Sequence, residues 1–248
     1  MSDSDSSTRS LNIVHLYPHE MNIYGDFGNL LTLTRRLQWR GIEAVVLDHH
    51  AGNPFPMQAD IILGGGGQDS GQAVIQQDLP LIQGPLRELI EAGVPALLVC
   101  GTYQLFGKYF KTSAGQIIEG LGIFDLHTIG CESRLIGNIV TRSDTFGEII
   151  GYENHSGKTY LGRDALPLAR VVSGAGNNGE DKTEGIHHRN ALGTYLHGPL
   201  LPKNPQIADY LISCALTNRY GSDAAVSLEL LDDELTVQAR RIAKSRPR

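Results

Sequence analysis

The run Pro95-Ala96-Leu97-Leu98-Val99-Cys100 is apolar at every position, with none of the period-two polar alternation of a half-exposed strand. A strand of this kind needs cover on both faces, which antiparallel hairpins seldom give and helices on either side of a parallel sheet do. The preceding pattern agrees. Leu11 to Tyr17 reads as a first strand, and Asn29 to Arg40 as a helix with Leu30, Leu33 and Leu37 on one face, stopped by Gly41. Glu43 to Leu47 and Ala59 to Leu63 read as further strands, and Leu81 to Ala92 as a helix ended by Gly93. Strand–helix alternation predicts an α/β fold with an open, mostly parallel central sheet flanked by helices.

The pattern changes after the elbow at Cys100. From Leu135 to about Val172 short apolar runs are separated by turn residues, which predicts additional antiparallel strands. Gly174 to Gly185 is polar and Gly-rich and reads as a mobile loop. Leu192 to Leu196 is a last strand, and Gln206 to Tyr220 an amphipathic helix with Cys214 on its apolar face. The expected organisation is a tail over 1–10, one domain over 11–220, and a helical or frayed extension over 221–248 whose end, Arg240 to Arg248, is basic.

A 248-residue chain with 41% hydrophobic content can build one sizeable core. Its formal net charge of −6, without a basic stripe, disfavours general nucleic-acid binding. No window reaches the ~20 apolar residues of a membrane span, and the Ser/Asp-rich start lacks the apolar stretch of a signal peptide. Three cysteines, Cys100, Cys131 and Cys214, form no CxxC pair and fit a reducing, cytoplasmic setting.

Chemistry concentrates where strands end. Cys100-Gly101-Thr102-Tyr103-Gln104-Leu105 closes one strand and opens a helical pattern, as in a nucleophile elbow. Gly101 permits the turn, and its N–H can face a developing oxyanion. A lone cysteine there reads first as a buried structural thiol, and further features of the chain reverse that. Gly64-Gly65-Gly66-Gly67 ends another strand and offers backbone N–H groups, though without the Lys-Ser/Thr of a P-loop. Thr194-Tyr195-Leu196-His197-Gly198-Pro199 ends a third with a histidine, the candidate base. His49-His50 and His187-His188 lack a third ligand at matching spacing, so no metal is expected.

As an ordered set these segments resemble the class I glutamine amidotransferases of the cobyric acid synthase-like branch. The elbow is similar to that family's Cys-Gly-x-Tyr-Gln-Leu, Tyr152-Glu153-Asn154-His155-Ser156-Gly157 to its Tyr-Glu-x-His-x-Gly box, and Tyr195-Leu196-His197-Gly198 to its histidine motif. Within the branch, Tyr17 to Asn29, Gly65-Gly66-Gly67-Gln68-Asp69, Arg134-Leu135-Ile136-Gly137 and His197 to Pro205 resemble the amidotransferase subunits of lipid II isoglutaminyl synthases.

The resemblance implies that Cys100 and His197 hydrolyse L-glutamine, with Arg134 and Gln104 near the substrate and Gly65, Gly66 and Gly101 around the oxyanion. It also implies a heterodimer. The partner would be a Mur ligase-like synthetase carrying ATP and Mg, which uses the ammonia to amidate the D-glutamate α-carboxyl of the lipid II stem peptide. No cofactor is expected in this chain, which has no Walker A sequence. Ammonia delivery to a corrinoid carboxylate, a non-catalytic scaffold and a stress protein of the same fold are the alternatives. Two positions depart from the class. Leu98 replaces the glycine two residues before the nucleophile, which predicts a less strained elbow. Pro199 replaces the glutamate two residues after the histidine, which leaves the base without an orienting acid; a partner carboxylate is expected, with Glu153 the in-chain candidate.

Overall fold

The computed structural model describes residues 9–67, 75–226 and 228–246; most of the expected tail, together with Gln68, Asp69, Pro247 and Arg248, lies outside them. The first half runs β1 (Ser10–Leu16), α1 (Phe27–Gln38), β2 (Glu43–His49), β3 (Ile61–Gly64), α2 (Leu79–Glu91), β4 (Ala96–Val99) and the short α3 (Gly101–Leu105). It continues through β5 (Tyr109–Lys111), β6 (Ile117–Glu119), β7 (Leu126–Ser143), β8 (Gly147–Leu161), β9 (Ala169–Ser173) and β10 (Thr183–Glu184). Then come β11 (Ile186–His188), β12 (Ala191–Thr194), β13 (Leu196–His197), a 3-10 turn at Leu201–Lys203, and the helices α4 (Pro205–Tyr220), α5 (Ser222–Val226) and α6 (Glu234–Ser245).

Among the described residues one sheet has the order β11-β12-β4-β3-β1-β2, parallel except where β11 runs against β12. The expected parallel sheet is therefore present, and β4 is a central strand. Leu97 pairs with Leu63 of β3 on one side and Leu192 of β12 on the other. All four β4 residues are buried, which is the cover that their unbroken apolar run demands. Leu33 and Leu37 of α1, Leu86 and Ile90 of α2, and Leu211 and Ile212 of α4 are fully buried in the same core.

The second sheet is built on an antiparallel ribbon of β7 and β8, flanked by β9, β5 and β13. The turn-like residues between Leu135 and Val172 suggested short strands, but β7 has 18 residues and β8 has 15. The polar positions alternate toward solvent along one continuous ribbon, and a single register shift between Gly130 and Leu135 absorbs the irregularity.

The segment Gly174 to Gly185, read from its composition as a mobile loop, is bonded internally and to β8. Asn177 and Asn178 are buried and bonded: Asn177 Nδ2 donates to the Gly185 carbonyl at 3.1 Å, and Asn178 Nδ2 to the Thr159 carbonyl at 3.0 Å. Polar composition here serves internal hydrogen bonding rather than solvation. In the extension expected to be helical or frayed, Glu234–Ser245 is a helix. Arg240 lies within α6 and donates to the carbonyls of Lys203 and Glu148.

Candidate active site

The crevice outside the carboxyl ends of parallel strands is where an open α/β sheet presents its chemistry. Cys100 stands there, directly after β4, with φ 52° and ψ −102°. A non-glycine residue in that conformation is strained and persists only when its surroundings enforce it. Here Cys100 N–H donates to the Thr194 carbonyl at 2.8 Å, its carbonyl accepts Gln104 N–H at 2.9 Å, and the Thr102 hydroxyl accepts Val99 N–H at 3.1 Å. The elbow is strained despite Leu98. The turn is clamped by bonds on either side of it, so a glycine two residues earlier is unnecessary.

Each neighbouring strand adds one wall. β3 runs into Gly65 and Gly66, and β12 leads to Tyr195, where the chain leaves the first sheet. β13 then pairs with β8, His197 opposite Tyr152. The glycines permit close approach. A Cβ on Gly65 would strike the Met21 carbonyl, and one on Gly66 would lie 2.8 Å from His197 Cε1 and 3.2 Å from Cys100 Cβ. Gly66 thus sits between thiol and imidazole.

His197 is fully buried. Its Nδ1 lies 3.2 Å from Oδ1 of Asp26, while Nε2 has no hydrogen-bond partner among the described residues. Tyr24 meets the ring edge-on, with centroids 5.0 Å apart. Burial disfavours the imidazolium, but the charge of Cys100 and the bond to Asp26 outweigh it and push the His197 pKa up to about 10. A carboxylate of this chain, that of Asp26, therefore meets the imidazole at the place where a partner acid or Glu153 was expected. Glu153 is buried and accepts the N–H groups of Ala175 and Gly176; it fastens the Gly174 to Gly185 segment. Asp26 lies inside the Tyr17 to Asn29 motif. The available signal was an acid in a glycine-bearing loop at the carboxyl end of β1.

The remaining sequence candidates divide. Gly101 follows Cys100 at the start of α3. The Gly66 N–H donates to Asp26 Oδ2 at 2.7 Å, so it is engaged and not turned toward an oxyanion; the acid that meets the histidine also holds this amide. The Gly65 carbonyl accepts Thr102 N–H at 3.4 Å, tying the glycine loop to α3.

Gln104 is buried beneath the elbow, where its amide donates to the Tyr195 hydroxyl at 3.0 Å, joining Thr159 and Thr128 in a polar network. These bonds turn its side chain toward Tyr195 beneath the elbow. Arg134 is exposed at the register shift midway along β7, its guanidinium on the side-chain and backbone oxygens of Asn154. His155 is buried and stacked on Tyr195 with centroids 3.6 Å apart, and desolvation lowers its pKa to about 4. It is neutral.

Among the described residues no group of three or more His, Cys, Asp or Glu side chains is arranged to hold a metal ion. His49 bonds Asp78, His188 bonds Glu91 and His187 bonds Tyr210. Cys131 and Cys214 are half-buried free thiols. Among the described residues no helix is long and apolar enough to cross a membrane.

Residues 12–205 match the sequence pattern of the CobB/CobQ-like glutamine amidotransferase domain. The chain belongs to this family. The amidotransferase is 44% identical over 234 residues to the lipid II isoglutaminyl synthase (glutamine-hydrolyzing) subunit GatD of Staphylococcus aureus, covering 94% of each chain. To the subunit of the same name from Streptococcus pneumoniae it is 39% identical, over 91% of this chain and 87% of that one. A probable cobyric acid synthase of Methanothermobacter thermautotrophicus is 31% identical over 59% of this chain, but only 31% of its own length is covered. A solved structure described as a glutamine amidotransferase superposes with a TM-score of 0.57 at 17% identity, covering 82% of this chain and 98% of that one, a likeness of fold.

Proposed function

We propose that this amidotransferase hydrolyses L-glutamine at Cys100 and supplies the ammonia to a Mur ligase-like synthetase subunit, which with ATP and Mg²⁺ amidates the D-glutamate α-carboxyl of the lipid II stem peptide. The observation that carries the reading is the strained Cys100 at the end of β4 beside the buried His197, with Gly66 packed against both and Asp26 on the imidazole Nδ1. A thiolate, not a thiol, is the nucleophile such chemistry needs.

In this reading the Cys100 thiolate, its proton held on His197 Nε2, attacks the side-chain carbonyl carbon of glutamine. The carbonyl oxygen becomes an oxyanion facing the Gly101 N–H and the glycine loop. For Gly66 to contribute, its amide must leave Asp26. As the tetrahedral adduct collapses, the carbon–nitrogen bond breaks and the imidazolium donates its proton to the departing nitrogen, releasing ammonia. A γ-glutamyl thioester remains. Neutral His197 then takes a proton from water, hydroxide adds to the thioester, and glutamate leaves as the thiolate and imidazolium re-form. Arg134 is the substrate-binding residue, a planar guanidinium suited to the α-carboxylate of glutamine.

The near full-length likeness to GatD subunits supports cell-wall amidation over a corrinoid acceptor, since the cobyric acid synthase is matched over under a third of its length. Ammonia release by the wild type and by Cys100→Ala tests the chemistry; equal rates would end the catalytic reading. Affinity purification tests the destination, with a Mur ligase-like subunit expected at one-to-one stoichiometry. Recovery without one would refute it.

A further inference from the structure

Asp26 occupies the N-cap position of α1, where an aspartate ordinarily accepts hydrogen bonds from the free N–H groups of the first helical turn. It makes no such side-chain bond here. The carboxylate is instead 5% exposed and turned into the site, Oδ2 on Gly66 N–H at 2.7 Å and Oδ1 3.2 Å from His197 Nδ1. The cap interaction is taken up nearby, where Asn22 Oδ1 accepts Phe27 N–H at 2.9 Å. A side chain withheld from its local task and buried against a catalytic-type imidazole has a use elsewhere.

We propose that Asp26 is the positioning residue that completes the Cys100–His197 pair from within this chain, fixing the histidine's tautomer and orientation for the glutamine hydrolysis proposed above. An ionised carboxylate only accepts hydrogen bonds, so Nδ1 must carry the hydrogen and Nε2 is left to exchange a proton with Cys100. The bond to Gly66 fixes the carboxylate itself, and therefore the plane of the ring. Pro199, where the class carries its glutamate, then needs no substitute from a partner. The proposal concerns the same site as the proposed function and rests on that reading for its kinetic test, though not for its chemical one.

Asp26→Asn keeps the shape and can still accept from Gly66, but its NH₂ would face Nδ1 and favour the tautomer that blocks Nε2. On purified full-length protein, kcat for glutamine should fall roughly 10²–10⁴-fold, with KM within about threefold because Asp26 does not hold the substrate. Losing the anion makes the imidazolium easier to deprotonate, so the basic limb of the kcat/KM profile should move to lower pH. The other titratable groups that act on or pack against His197 are Cys100, Tyr24, His155 and Glu184, and the variant alters none of them.

Asp26→Glu, which retains the carboxylate, should recover at least tenfold of the lost kcat. The pH dependence of iodoacetamide alkylation, mapped to Cys100 by mass spectrometry, needs no substrate. Asp26→Asn should slow it at mildly acid pH relative to wild type. If wild type releases no ammonia, the proposed function fails while alkylation still judges Asp26. An Asp26→Asn enzyme with kcat within threefold of wild type, or with both pH profiles unmoved, overturns the proposal. A loss of activity matched by Asp26→Glu and by a lowered unfolding midpoint, with the profiles unmoved, would make Asp26 structural only and overturn it equally.

Discussion

Gly66→Ala adds one methyl group at the narrowest place in the site. The new Cβ would stand 2.8 Å from His197 Cε1, 3.0 Å from Ile23 Cγ1 and 3.2 Å from Cys100 Cβ, where ordinary contact begins at 3.4 Å. Ile23 can give by rotating. Cys100 cannot, because its backbone is clamped to Thr194 and Gln104. The ring of His197 must therefore yield about 0.6 Å, and with it the bond from Nδ1 to Asp26 lengthens beyond 3.2 Å. A 1 Å misplacement of a catalytic group costs about 10²-fold, so a displacement of this size should lower kcat/KM by roughly 10- to 30-fold, or about 1.4–2 kcal/mol of barrier. Overpacking should also cost about 1–3 kcal/mol of stability. Ammonia release under saturating and limiting glutamine, beside urea unfolding, separates the two effects. A variant within threefold of wild type in kcat/KM and unchanged in stability would refute the idea that Gly66 is there for space between thiol and imidazole.

Arg134→Ala should raise KM for glutamine by roughly 10- to 100-fold and change kcat far less, since a carboxylate contact remote from the reacting carbon is made equally in ground and transition states; an unchanged KM would remove Arg134 from the substrate site. Glu184 is fully buried, and although the Thr194 hydroxyl and the Tyr195 N–H donate to it, desolvation raises its pKa from 4.5 to about 7. A carboxyl whose folded pKa is raised binds its proton more tightly when folded, so its contribution to stability is present at low pH and is lost as pH climbs from about 4.5 through about 7. Glu184→Gln should flatten that part of the curve of unfolding midpoint against pH; an unchanged slope would show that Glu184 does not titrate in this window.

Cys100, the glycine loop and His197 were legible because each ends a strand whose apolar run announces it, and parallel strands bring their carboxyl ends together whatever the loops do. The order of the first sheet follows from the same logic. Asp26 was not legible in its role. Its motif was visible, but an aspartate before a helix reads first as a cap, and only the folded chain shows the carboxylate turned away from that duty. The bond from Gln104 to Tyr195 was not legible either, because adjacency to a nucleophile in sequence says nothing about which way a side chain on a one-turn helix projects. Polarity misled at Asn177 and Asn178 as well, because buried amides that bond backbone carbonyls have the same composition as a solvated loop.

The chain crosses from one sheet to the other at Tyr195, so that the thiol belongs to the first and the imidazole to the second. Their spacing is thus not stored in any loop that could be tuned in isolation. It is a joint tolerance, set by how two separately assembled panels meet, with His197 of β13 held opposite Tyr152 of β8.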